Sequence, residues 1–204
     1  LAAYIEARVA KPPKSLLLLL DFYNLNDEGE RALDVAERVV ALRPRSADAR
    51  VALGEQLYQM NRIDDALAQW ATLPKLVRPV HRGHAKHAEV LSEHGRTTDA
   101  VAALKIALKL EPEEPRYLRL RAMLAEEQRR PALALELWGQ VRTLASGREH
   151  ELLRDEARTR IVELLVGGSI PQRRSQLEAA EREAQAVLDA GTPLADAIEA
   201  GRLL

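Results

Sequence analysis

Ala32, Ala66, Ala100 and Ala134 stand 34 residues apart, in one register and without an insertion. A fixed internal period constrains a chain more than any single motif, because each period must be one structural unit that is buried against the next. With Ala32 taken as position 20 of a unit, the chain divides into residues 13–46, 47–80, 81–114 and 115–148. Other positions keep the register. Position 8 holds Leu20, Gly54, Ala88 and Ala122, and position 11 holds Tyr23, Leu57, Leu91 and Ala125. Position 24 holds Ala36, Trp70, Leu104 and Trp138, and position 27 holds Val39, Leu73, Ala107 and Val141. Pro44 and Pro112 stand at position 32, with Pro79 one residue late.

Within each unit the apolar spacing is helical, as in Leu16, Leu19, Leu20 and Tyr23 at i, i+3, i+4 and i+7. Two helices per unit are separated by Asn26-Asp27-Glu28-Gly29, Asn61-Arg62, Gly95-Arg96 and Gln128-Arg129-Arg130-Pro131. Gly and Asn take the left-handed conformation that ends a helix, and Pro suits the first turn of the next. Composition agrees. The chain is 47% hydrophobic, mostly Leu and Ala, with one Phe, two Trp and four Tyr. Small and unbranched residues suit close helix packing, whereas a β-sandwich wants more aromatic and β-branched ones.

Over residues 13–148 this pattern resembles the tetratricopeptide repeat family. The resemblance implies an all-α fold, a right-handed superhelical solenoid of helix-turn-helix repeats. Residues 13–46, 47–80, 81–114 and 115–148 are then repeats 1 to 4. Residues 1–12 read as the second helix of a truncated preceding repeat, ending near Lys11-Pro12-Pro13. Residues 149–193 read as an irregular, extended fifth repeat, and 194–204 as the first helix of a further, truncated one. In the fifth, Leu152, Leu153, Ile161, Leu164 and Leu165 predict a longer first helix, broken at Gly167-Gly168-Ser169-Ile170-Pro171. A second helix follows from about Gln172 to Ala190. The chain reads as a piece of a longer protein.

Several function classes recede. The net charge is −1, so the basic surplus of a nucleic-acid footprint is missing. No cysteine is present, which removes disulfides, thiolate metal sites and cysteine nucleophiles. The longest apolar runs, such as Leu16 to Leu20, are far short of the ~20 residues that cross a bilayer, so no direct membrane insertion is expected. There is no glycine-rich phosphate loop, no metalloprotease His-Glu-x-x-His and no nucleophile elbow. Ser15, Ser92, Ser146 and Ser175 have no convincing His and Asp partners. A non-catalytic chain without cofactor or metal is expected. Its compartment, cytoplasmic or periplasmic, stays open. Arg outnumbers Lys 24 to 6, which suits a GC-rich, bacterial coding sequence.

The resemblance also implies where a partner binds. In the family, positions 2, 5, 9, 12 and 13 of each first helix point into a concave groove. Position 9 here carries Asp21, Glu55, Glu89 and Met123, and Glu93, Glu126 and Glu127 stand at positions 12 and 13. Lys14, Arg82, Lys86, Arg116 and Arg119 lie nearby in sequence. Two readings stand. Either the carboxylates form an acidic row that steers a basic or cationic partner, or these are solvated residues whose exposed ion pairs are each worth ~0–1 kcal/mol. The family's carboxylate clamp for chaperone tails needs Lys and Asn at positions 5 and 9. Leu17 with Asp21 and Val51 with Glu55 stand there, so an incoming carboxylate would be repelled.

His81, His84, His87 and His94 cluster in one unit, and zinc with Glu89 or Glu93 is one reading of them. His84 and His87 fall on packing positions of the repeat, so partly buried histidines at a repeat interface are the better reading. Trp70 and Trp138 share one position of their units and read as core. Arg173, Arg174, Glu178, Glu181, Arg182 and Glu183 read as a solvated face with i,i+4 pairing. The function expected is a non-catalytic protein–protein interaction scaffold binding a partner peptide or domain. One alternative is a periplasmic segment of a bacterial exopolysaccharide export protein, touching a cationic polysaccharide or its modifying enzyme. Another is a regulatory array of an enzyme outside this segment.

Overall fold

The computed structural model describes residues 13–166, with Arg182 and Gln185. The helix expected over residues 1–12, the break at Gly167, the helix from Gln172, most of the face around Arg173 and the segment 194–204 lie outside the described residues. Among the described residues there are helices and no strand. In order they are α1 (Pro13–Leu25), α2 (Gly29–Leu42), α3 (Ala47–Gln59), α4 (Ile63–Trp70) and α5 (Leu73–Leu76). There follow α6 (Val80–Glu93), α7 (Thr97–Leu110), α8 (Pro115–Glu127), α9 (Pro131–Leu144), a 3₁₀ turn (Arg148–His150) and α10 (Glu151–Val166).

The turn inside each helix pair is the most regular part of the molecule. α1, α3, α6 and α8 end at Leu25, Gln59, Glu93 and Glu127, again 34 residues apart. Their successors begin at Gly29, Ile63, Thr97 and Pro131, on the same period. Between them Asp27, Asn61, Gly95 and Arg129 take positive φ angles of 55°, 60°, 66° and 54°. The N–H groups of Glu28, Arg62, Arg96 and Arg130 donate to the carbonyls of Tyr23, Leu57, Leu91 and Ala125 at 2.8–3.0 Å. Those of Asp27, Asn61, Gly95 and Arg129 donate three residues back at 2.8–3.3 Å. These are the 6→1 and 5→2 bonds of a Schellman motif, which closes a helix on its own last carbonyls. The sequence pointed to Asn and Gly for the left-handed residue. In the first and fourth turns it is instead Asp27 and Arg129, held there by backbone bonds that any side chain permits.

The chain forms two compact units, Leu1–Val90 and Leu91–Leu204. In the first, α1 packs on α2, α2 on α3, and α3 on both α4 and α5. Its core contains Leu19, Tyr23, Ala32, Ala36, Leu57, Ala66 and Trp70, all buried. In the second, α7 packs on α8, α8 on α9 and α9 on α10. Leu118, Ala122, Ala125, Ala134, Trp138, Val141, Ala157, Ile161 and Leu165 form one core cluster there. The four alanines that set the period are each at 0% exposure, which is why nothing larger can stand at that position.

Two departures from the period have local causes. The second helix of residues 47–80 does not run through as its counterparts do. It stops at Trp70 and resumes as the short α5. Pro74 has no N–H to donate four residues back, so a continuous helix would lose a bond and gain a clash at that point. The Thr72 hydroxyl fills the break by donating to the Gln69 carbonyl at 2.6 Å. Leu73 still reaches its core position and is fully buried. The second departure is in α10, which at 16 residues is longer than the 13 of α8. Glu156 falls 34 residues after Ala122, where the earlier units carry a buried small or apolar residue, and the fully buried small residue is Ala157, one place later.

Candidate functional site

In the first unit, Asp21 on α1 and Glu89 on α6 are exposed, and Glu55 on α3 is half-buried. Lys86 approaches Glu89 at 3.7 Å, one turn away on the same helix. Such a contact at an exposed surface leaves the carboxylate accessible. Arg82 is exposed on α6, and the side chain of Lys14 lies outside the described residues. The carboxylates thus recur at one place in three successive first helices, carried by elements whose opposite faces supply the core.

The same row behaves differently in the second unit. Met123 is half-buried and packs against the core cluster. Glu126 accepts a hydrogen bond from Trp138 Nε1 at 2.6 Å, and Arg160 of α10 stands 3.5 Å from its other oxygen. Arg119, seven residues earlier on α8, donates from Nε to Glu156 of α10 at 2.6 Å. Two pairs of opposite polarity therefore tie α8 to α10. The Glu156 hydrogen bond holds the Arg119 guanidinium above the ordinary arginine pKa, with burial opposing it. Arg160 is raised as well, first by its hydrogen bond to Glu163 and then by Glu126 and its other carboxylate neighbours. Glu127 is exposed and accepts from the Thr97 hydroxyl at 3.1 Å, while Glu93 and Arg116 are exposed.

Of the twelve residues proposed from sequence, Arg119 and Glu126 thus pair with α10, Met123 packs on the core and Glu127 accepts from Thr97, all inside the second unit. The α10 partners, Glu156 and Arg160, were not among the sequence candidates. A signal for Glu156 existed, since an acid at the place of Ala122 one period on must find a cation or leave a half-buried charge uncompensated. His81, His84, His87 and His94 are half-buried, with Ala85 and Ala88 buried between them. Among the described residues, no group of three or more His, Asp or Glu is placed to hold a metal ion. No described helix is long and apolar enough to cross a membrane.

The family model described as Tetratricopeptide repeat matches residues 16–73 and 86–144. Among curated proteins no sequence matches the chain. Solved structures do. MamA from Desulfovibrio magneticus RS-1 is 12% identical with a TM-score of 0.55, over 87% of this chain and 93% of that one. YrrB, described as a TPR protein with an unusual peptide-binding site, is 13% identical with a TM-score of 0.54, over 98% and 97%. A thermophilic TPR protein of Thermus thermophilus is 17% identical with a TM-score of 0.50, over 94% and 98%. At these identities the likeness is one of fold.

Proposed function

The chain belongs to the tetratricopeptide repeat family, and on that premise we propose that its first unit holds an extended, basic segment of a partner protein along Asp21, Glu55 and Glu89. Members of this family generally serve as protein–protein interaction scaffolds rather than catalysts. The observation that carries the proposal is the contrast within one row of positions. In the first unit the carboxylates recur on α1, α3 and α6, while the equivalent place on α8 is taken by Met123. That a similar fold, YrrB, is described with a peptide-binding site adds support.

Binding of this kind makes and breaks no covalent bond. Carboxylates at a repeated interval steer a cationic segment and fix its register more than they add affinity. Each contact at such exposure contributes ~0–1 kcal/mol and weakens with salt.

The test is the triple variant Asp21→Lys, Glu55→Lys, Glu89→Lys, titrated by fluorescence anisotropy against an array of Lys- and Arg-rich peptides. The parent chain should bind members of the array in a salt-dependent way. The variant, with its helix content checked by circular dichroism, should bind about tenfold or more weakly, since ~1.4 kcal/mol corresponds to each factor of ten. Unchanged affinity sinks the proposal. A parallel arm with glucosamine oligomers separates a basic peptide from a cationic polysaccharide.

A further inference from the structure

Asp21 differs from the other two carboxylates of the row in what surrounds it. On a helix, the nearest surface neighbours of a side chain stand three and four residues away, at about 5–6 Å between Cβ atoms. For Asp21 on α1 they include Leu18 and Leu25, exposed at 68% and 86%. For Glu55 on α3 the same two places hold Ala52 and Gln59, and for Glu89 on α6 they hold Lys86 and Glu93. Phe22, four residues after Leu18 and three before Leu25, is half-buried and meets Tyr23 edge-on with ring centroids 5.6 Å apart. It joins the two leucines into one apolar patch with Asp21 on its border. The patch lies outside the core, to which α1 contributes Leu16, Leu19, Leu20 and Tyr23.

A single exposed leucine is ordinary on a protein surface. Two of them closed around a carboxylate of the row set a chemical requirement on what lies there. A uniformly basic and polar segment would satisfy Asp21 but leave the leucines wet. A purely apolar one would cover the leucines and strip water from Asp21 without supplying a cation, which is costly. A cation with a large apolar side chain beside it answers both. We propose that the partner segment is amphipathic: a large apolar side chain seats on Leu18, Phe22 and Leu25, its neighbouring cation meets Asp21, and its basic remainder runs past Glu55 and Glu89. This amphipathic partner presupposes that the acidic row binds a basic segment, and adds to that segment a residue that charge alone does not require.

Two peptides of equal length and charge test it by fluorescence anisotropy, one made of Arg, Ser and Gln, the other identical except for a leucine beside its first Arg. The leucine peptide should bind the parent chain about tenfold more tightly, which corresponds to burying much of one leucine side chain. The double variant Leu18→Gln, Leu25→Gln should bind both peptides alike, at the affinity the parent shows for the polar one. Equal binding of the two by the parent overturns the proposal while the acidic row stands. Binding of both that the triple lysine variant leaves unchanged, or no binding of either, removes the row and the proposal together. The melting temperature and sedimentation of the double variant should match those of the parent. A fall of several degrees would assign the patch to the chain's own packing, and a parent dimer that the variant splits would assign it to a second copy; either result overturns the proposal.

Discussion

Trp70 and Trp138 occupy the same place in their repeats and are both at 0% exposure, yet their surroundings solve the indole's two problems differently. For space, Trp70 relies on Gly54, where a Cβ would run into the ring. Trp138 has Ala122 at the equivalent position. For its N–H, Trp70 has a long bond of 3.4 Å to the Val51 carbonyl, whereas Trp138 has the Glu126 carboxylate at 2.6 Å. The helices differ too, since α4 stops at Trp70 and α9 continues to Leu144. A repeat position therefore dictates burial, and the neighbouring helix decides how the polar edge is satisfied. In the second unit that decision draws a candidate binding residue into the interior.

Substitutions at these places test the contrast directly. Gly54→Ala should have the largest effect, about 3 kcal/mol of lost stability in urea denaturation, because overpacking a rigid ring sits at the upper end of the usual range. A loss under ~0.5 kcal/mol would show that the ring can shift and that the glycine is incidental. Next comes the pair Trp70→Phe and Trp138→Phe. Both lose similar volume, and the second removes a 2.6 Å bond to a carboxylate where the first removes a 3.4 Å bond to a carbonyl, so it should cost about 1–2 kcal/mol more than the first. Equal costs would remove Glu126 from the account of the second core. The smallest change concerns the turns. Arg129→Gly relieves a left-handed non-glycine residue and should raise stability by up to ~1 kcal/mol, while Gly95→Ala should lower it by about the same amount.

Much of this was legible in the sequence because the period samples each position four times. Position by position, Ala32, Trp70, Leu104 and Val141 could be assigned to the interior with no structure at hand, and they lie there. The failures share a cause. The break before Pro74 belongs to one repeat alone, so a period shared by four repeats does not show it. Asp27 and Arg129 do not advertise a left-handed backbone, because the motif that imposes it lies in carbonyls and N–H groups common to every residue. The ties from Arg119 to Glu156 and from Glu126 to Arg160 span 37 and 34 residues, and they belong to the stretch where the period loosens. The period marks Glu156 as out of place at the position of Ala122, but it does not say which cation pairs with it.

The recurring clasp between Tyr23 and Glu28, and its three counterparts, has a kinetic meaning. Each is closed within six residues, so it brings a pair of helices together at almost no cost in loop entropy. Chains rich in such near-neighbour contacts fold quickly, and arrays of them can nucleate at any member and propagate outward. Asp, Asn, Gly and Arg all serve at the left-handed place, so that speed is insured against change at the residue most exposed to it.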